Sequence, residues 1–328
     1  MKKTSLLLAL LSSSLVSNAQ TAAEASQSRI QGTQREQPAP VTGKNITAQE
    51  AEGTSPAESD TGAQRPISLK KSGISSFFGY DTKIFYRDNP LSVDNALSEM
   101  KTGMWTNTFF GGAGLGVFDM DDAVVTPYIG GSYTINDYLE TAVQELELNY
   151  NSTNAYALLL AQFSNGISGR IGVSYAMDKN TESDTEEYSE FFPNIGIMKT
   201  FSLPSGTLAV LDAYVGKHTS TSNQNPEDIL DNLEIAASYG LIHRQGAFII
   251  KPKYSFSFKS YDKGDKGNND GREDLTHNLS VKIDYPFADS LTLSLFSGYT
   301  IRDTSGYDLG GDYENFDGGL GLTLNSRF

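Results

Sequence analysis

The chain has 328 residues, a formal net charge of −15 and no cysteine. The missing thiols exclude disulfides, thiolate metal centres and a lipid anchor on Cys, so an exported domain would need another source of stability. The acidic balance gives no reason to expect a nucleic-acid partner.

The first elements are not structural. Lys2 and Lys3, an apolar stretch from Ser5 to Val16, and Ser17-Asn18-Ala19 form the three parts of a secretory signal over 1–19. Its removal takes two lysines and leaves a charge of −17. Residues 20–72 follow, with `EQPAP` and `GTSPAESDTG` and no aromatic side chain up to residue 70. Such a segment cannot bury enough apolar surface to offset its ordering entropy, which predicts a disordered periplasmic linker. All 17 Tyr, 17 Phe and the single Trp lie beyond residue 70, so the folded domain is expected over 73–328. No apolar run of about 18 residues follows the signal, so no membrane helix is expected.

From residue 77 onward the chain alternates apolar and polar residues with period 2. Strands are predicted near 77–88, 104–118, 124–137, 154–164, 167–179 and 188–203. Others follow near 206–218, 231–244, 246–261, 274–287, 290–302 and 313–328, twelve in all. The stretch `QELELNYN` at 144–151 is a further candidate, and 77–88 could lie outside the sheet. In `FIIKPKYSFSFK`, Phe248, Ile250, Pro252, Tyr254, Phe256 and Phe258 share one face, while Lys251, Lys253, Ser255, Ser257 and Lys259 share the other.

The connections sort into two kinds. `NG`, `LPSG`, `RQG` and `FADS` are tight turns. `KNTESDTEE`, `TSTSNQNPEDILDN`, `DKGDKGNNDGRED` and `RDTSGYDLGGDYE` are long, and together hold 16 acids and 5 bases. Short and long alternate from residue 164 onward. A soluble β-sandwich would also alternate along its strands, but its Greek-key connections would be of mixed length. An up-and-down barrel has short turns on one rim and long loops on the other. The expected fold is therefore all-β: an antiparallel transmembrane β-barrel of about twelve strands.

The end of the chain carries a resemblance. In `GGLGLTLNSRF`, Leu320, Leu322 and Leu324 alternate with small or polar residues and Phe328 closes the chain. This pattern resembles the last strand of Gram-negative outer-membrane β-barrel proteins, with Ser326 standing where an aromatic is often found. The resemblance implies location in the cell outer membrane and contact with outer-membrane lipid and lipopolysaccharide. It also implies that the β-barrel assembly machinery reads Leu320, Leu322, Leu324 and Phe328 as an insertion signal.

Four places in the sequence are candidates for chemistry. `QFSNGISGR` is similar to the His-x-Ser-Asn-Gly motif of outer-membrane phospholipase A at Ser164, Asn165 and Gly166, but Gln162 replaces the histidine. A serine without a proton acceptor is a poor nucleophile, so a hairpin turn is the expected role. His218, His243 and His277 have no metal-ligand spacing. The acidic loop `DKGDKGNNDGRED` could attract divalent cations, although its spacing is not that of a dedicated calcium loop. The lumen face is the fourth place, with Arg170, Asp212, Lys251, Lys253, Lys259, Lys282 and Asp284 as its candidate lining. The three lysines of 246–261 form a same-sign stripe that would favour anionic solutes. The expectation is a narrow, non-enzymatic pore or small-solute channel, with no cofactor and no catalytic or metal-binding residues. The alternative is a closed barrel whose acidic loops serve envelope structure or surface interaction.

Overall fold

A computed structural model describes residues 74–92, 101–144, 148–204, 206–222, 230–262, 271–306 and 311–328. The signal and linker expected over 1–72 lie outside these residues. The strands are β1 (Ser75–Arg87), β2 (Thr102–Gly114), β3 (Phe118–Met120), β4 (Ala123–Tyr138), β5 (Tyr150–Phe163), β6 (Ile167–Asn180) and β7 (Glu186–Ser202). They continue as β8 (Leu208–Thr221), β9 (Asn232–Gln245), β10 (Phe248–Tyr261), β11 (Glu273–Ala288), β12 (Leu291–Ser305) and β13 (Tyr313–Arg327). One helical turn, α1 (Thr141–Gln144), precedes β5.

Each long strand pairs antiparallel with its neighbours in the chain, and β2 pairs with β4 across the short β3. The first strand closes the ring on the last, from Phe77↔Arg327 to Arg87↔Asp317. Setting aside β3, twelve strands form a closed up-and-down antiparallel barrel. Closure leaves no row of unpaired backbone groups, which is the condition for crossing hydrocarbon with strands. No described helix is long and apolar enough to cross a membrane.

The period-2 pattern places apolar side chains outside. Ile197 and Leu279 are 61% and 62% exposed, far more than a soluble β-protein would leave along the middle of its strands. Exposed aromatics flank this aliphatic band on both sides. Phe78, Phe163, Phe248 and Phe287 lie at one rim; Tyr86, Trp105, Phe191, Tyr299 and Phe316 lie toward the other. An aliphatic band between two aromatic girdles is the exterior of a membrane barrel.

The two rims differ. Connections 164–166, 203–207, 246–247 and 289–290 are tight, and both chain ends of the barrel meet at this turn rim. There Ser76 and Phe328 exchange backbone hydrogen bonds of 2.9 and 3.2 Å. The Asn165-Gly166 turn needs a left-handed residue, supplied by Gly166 at φ +77°, and Asn165 Oδ1 accepts from the Ile167 amide at 3.0 Å. The loop rim carries 88–101, 139–149, 222–231, 262–272 and 306–312.

Three details depart from the sequence reading, and at 77–88 the strand expectation holds over its alternative. The strand expected over 104–118 stops at Gly114, and 118–120 forms the separate β3 after Gly116 at φ +118°. Of `QELELNYN`, Gln144 ends α1, Tyr150 and Asn151 join β5, and 145–147 lie outside the described residues. The stretch 77–88 is a stave of the barrel and completes its closure. The acidic `KNTESDTEE` is less loop than expected, because β6 and β7 run on until only 181–185 separate them. Asn180 Oδ1 closes that turn by accepting from the amides of Glu182 and Ser183 at 3.0 and 2.9 Å. Short and long connections still alternate between rims, but this one is short.

Candidate functional site in the barrel lumen

Residues that alternate with the exterior set point inward, and they divide into two levels. Near the loop rim a buried polar layer runs across β7 to β12. Tyr188 donates its hydroxyl to Glu190 Oε2 at 2.9 Å, and that oxygen lies 3.1 Å from Nδ1 of His218. His218 Nε2 is 3.0 Å from Glu234 Oε2. The imidazole thus bridges two carboxylates, with both ring nitrogens engaged. Its face stacks on Phe192, the ring centroids 3.9 Å apart at 14°. Gly216 makes that stack possible, since a Cβ there would come within 2.4 Å of the Phe192 ring.

The layer continues by register. Lys259 lies opposite Glu234 on β9 and opposite Asp274 on β11. Asp274 accepts from Arg272 through two bonds of 2.9 and 3.0 Å, and from the Tyr261 hydroxyl at 3.0 Å. Arg302 lies 4.0 Å from Asp274 and donates to the Gly311 carbonyl at 2.6 Å and the Ser92 carbonyl at 3.3 Å. Charges this deep are tolerable only when paired and hydrogen-bonded throughout, as they are here.

Apolar wedges fill the remaining space at this level. Ala176, Tyr188, Leu230 and Tyr261 form one buried cluster. Met104, Tyr138 and Tyr150 form another, with Phe85 and Leu148 against it. The loops contribute directly: Leu230 and Arg272 come from the ends of long connections, and Asn89 bonds to Asn315 and to the Glu314 carbonyl. On the lumen side of the closing seam, Arg87 holds Asp317 through bonds of 2.8 and 3.0 Å.

Toward the turn rim the lumen is looser. Arg170 reaches past Gly196 to grip Asp212 with a fork of two hydrogen bonds. Lys251 lies 2.6 Å from Asp284 Oδ2, while Lys282 lies 3.6 Å from Oδ1, which also accepts from Ser294 at 2.7 Å. The side chains of Lys251 and Lys282 nevertheless stay 39% and 43% exposed. Lys83 sits beside Asp81 at 3.4 Å and over the Phe296 ring at 5.9 Å.

The lysines of β10 therefore do not act as one column. Lys259 belongs to the buried layer, Lys251 to the Asp284 cluster, and Lys253 lies between them on the same face. The histidines are not brought together. His218 is in the layer, His243 meets Thr207 Oγ1 at 2.9 Å, and His277 meets the Tyr254 hydroxyl at 2.8 Å on the exterior. Ser164 sits in the turn after β5, and no histidine lies on a strand next to that turn. In `DKGDKGNNDGRED`, Asp262 is paired with Lys217 and Asp274 faces inward; 263–270 lie outside the described residues. Among the described residues no three His, Asp or Glu side chains are arranged to hold a metal ion.

Two contributors to the closed layer escaped the sequence reading. Leu230 and Arg272 precede their strands, so no period-2 pattern could assign them a face. A weaker signal was present for the others: inward Glu234, Lys259 and Asp274 fall opposite one another once neighbouring strands are aligned.

No family model matches the chain, and no curated protein matches it by sequence. Solved barrels overlap it remotely. An outer-membrane channel from Pseudomonas putida F1 is 10% identical with a TM-score of 0.45, covering 80% of this chain and 100% of its own. The β domain of a Bordetella autotransporter is 11% identical with a TM-score of 0.42, covering 77% and 100%. An anion-selective porin from Comamonas acidovorans is 10% identical with a TM-score of 0.38, covering 77% and 99%. The barrel assignment rests on the closed strand order and not on these likenesses.

Proposed function

We propose that this barrel is a narrow, non-enzymatic outer-membrane pore for small solutes, shut near its loop rim by a polar layer that parts for passage. The observation behind this reading is the division of the lumen. His218, Glu190 and Glu234 are at most 1% exposed, whereas charged side chains on the turn side remain open to water. A plug made of hydrogen-bonded charges can be replaced by water at lower cost than an apolar one, because each group keeps a polar partner on opening. In this reading the turn rim faces the periplasm and the acidic loops face outward among lipopolysaccharide headgroups. Apart from the narrow layer, the lining is Arg170, Asp212, Lys251, Lys253, Lys282 and Asp284.

Conductance in planar bilayers tests the pore. Replacing His218 with Ala leaves Glu190 and Glu234 facing each other without their bridge, a loss of about 3–5 kcal/mol at a buried ion pair. The wild type should be mostly closed, and the variant should show a several-fold higher open probability. A second reading is a closed barrel with an envelope or surface role, favoured by the completeness of the packed layer. Silence from both the folded wild type and the folded His218→Ala variant would select it.

The last strand supports a second proposal, that Leu320, Leu322, Leu324 and Phe328 form the assembly signal. Phe328 is 80% exposed, while its backbone is pinned to Ser76. The ring is therefore free for recognition although the strand end is ordered. Phe328→Asp should reduce outer-membrane levels and leave protein in the periplasm; unchanged levels in fractionated cells would remove this role.

A further inference from the structure

We propose that the turn-side lumen holds a binding site for small organic anions with an apolar body, formed by Lys251, Lys282, Asp284, Ser294 and Phe296. The inference deepens the pore reading by naming a solute class. Its geometry begins with an unusual pairing: Lys251 and Lys282 are direct cross-strand partners. Like charges placed opposite each other on a sheet repel, so the arrangement needs a reason or a compensating group. Asp284 supplies part of the compensation by meeting both ammonium groups, one on each oxygen. Its Oδ1 also accepts from the Ser294 hydroxyl, so both oxygens are already engaged.

One carboxylate cannot balance two ammonium groups. The cluster keeps a net positive charge on the low-dielectric wall of a narrow lumen, which focuses its field on an anion. The carboxylate is buried and the ammonium groups are half exposed, so the positive ends are the part a solute meets. Asp284 also fixes their directions, which lowers the ordering cost of gripping a ligand.

The apolar half of the site lies on the next strand. Phe296 is the direct partner of Lys282 and points into the same lumen. It packs edge-on against Phe85, the centroids 5.8 Å apart, and Lys83 covers it from the β1 side. A carboxylate held between Lys251 and Lys282 would therefore place an attached ring or short chain against Phe296. An inorganic anion would use only the lysines, and an organic cation would be repelled.

The full-length mature protein, refolded in detergent, allows a direct test by titration calorimetry with benzoate, inorganic phosphate and benzylammonium. Benzoate should bind more tightly than phosphate, and benzylammonium should not bind. Lys251→Gln with Lys282→Gln should weaken benzoate at least tenfold. Lys282→Gln alone leaves the Lys251–Asp284 pair in place and should weaken it about threefold in a barrel of normal heat-modifiable mobility. Phe296→Leu should weaken benzoate and leave phosphate unchanged. Equal binding of benzoate and phosphate, or no loss in the Lys282→Gln variant, would overturn the site. Binding is read without conductance, so a silent barrel that binds benzoate keeps the site and rejects only the pore; a conducting barrel that does not bind benzoate does the reverse.

Discussion

The two levels of the lumen use the same residue types to different ends. Near the loop rim, Glu190, His218, Glu234, Arg272 and Asp274 are almost fully buried and interlocked. Toward the turn rim, Arg170, Asp212, Lys251 and Lys282 are also ion-paired, yet they keep a fifth to two-fifths of their surface. Charge pairing alone therefore does not close a barrel of this width. What differs is the supply of extra side chains. The long connections send Leu230, Arg272 and Asn89 inward and lay the Ser92 and Gly311 carbonyls across Arg302. The tight turns are too short to fold back, so the lumen beside them stays open. Closure follows from loop length as much as from the strands.

The largest expected effect comes from placing the same substitution at both levels. Lys259 is 7% exposed and faces Glu234 and Asp274 across its two neighbouring strands. Lys259→Glu would set three carboxylates side by side in a dry layer, and removing a buried partner alone costs about 3–5 kcal/mol. Lys253 lies three turns of the side-chain pattern nearer the turn rim and is half buried. Lys253→Glu should change stability by about 1 kcal/mol or less, as partly screened charges do. Urea midpoints read from heat-modifiable gel mobility would check this. Equal losses in the two variants would mean that the lumen is not divided as described.

The division was only partly legible beforehand. Alternation along `FIIKPKYSFSFK` places Lys251, Lys253 and Lys259 on one face, and the register of β9 to β11 keeps them there. Periodicity carries no depth, however, so three lysines on a common face could not be ranked by burial. Depth depends on what the loops send in, and loop residues such as Leu230 and Arg272 have no period to read. Length was misjudged for a related reason. The acidic stretch 179–187 looks like solvent-exposed loop throughout, but Glu186 and Glu187 already belong to β7 and only Glu182 and Asp184 stay in the turn. A strand end beyond the membrane band can meet water on either face. The 118–120 hairpin was hidden because Gly116 interrupts a run that otherwise continues the β2 pattern.

A smaller effect should separate the levels through glycine. On the loop side, a Cβ added at Gly216 would lie 2.4 and 2.7 Å from two atoms of the Phe192 ring and 2.8 Å from the Pro193 carbonyl. The ring has no room to retreat while it stacks on His218, and the carbonyl belongs to the strand ladder. Gly216→Ala should therefore cost about 1–3 kcal/mol, the usual penalty for overpacking a filled space. On the turn side, a Cβ at Gly240 would find its nearest neighbours at 3.7 Å or beyond, among them the flexible Lys253 stem. Gly240→Ala should fall within about 0.5 kcal/mol of the wild type, or stabilise slightly because alanine restricts the unfolded chain. The paired measurement also reports on passage. Moving Phe192 uncovers His218, so Gly216→Ala should raise open probability in planar bilayers, while Gly240→Ala should leave gating unchanged. If both alanines destabilise equally, or if Gly216→Ala is less stable yet no more conductive, Phe192 packs the layer without helping to shut it.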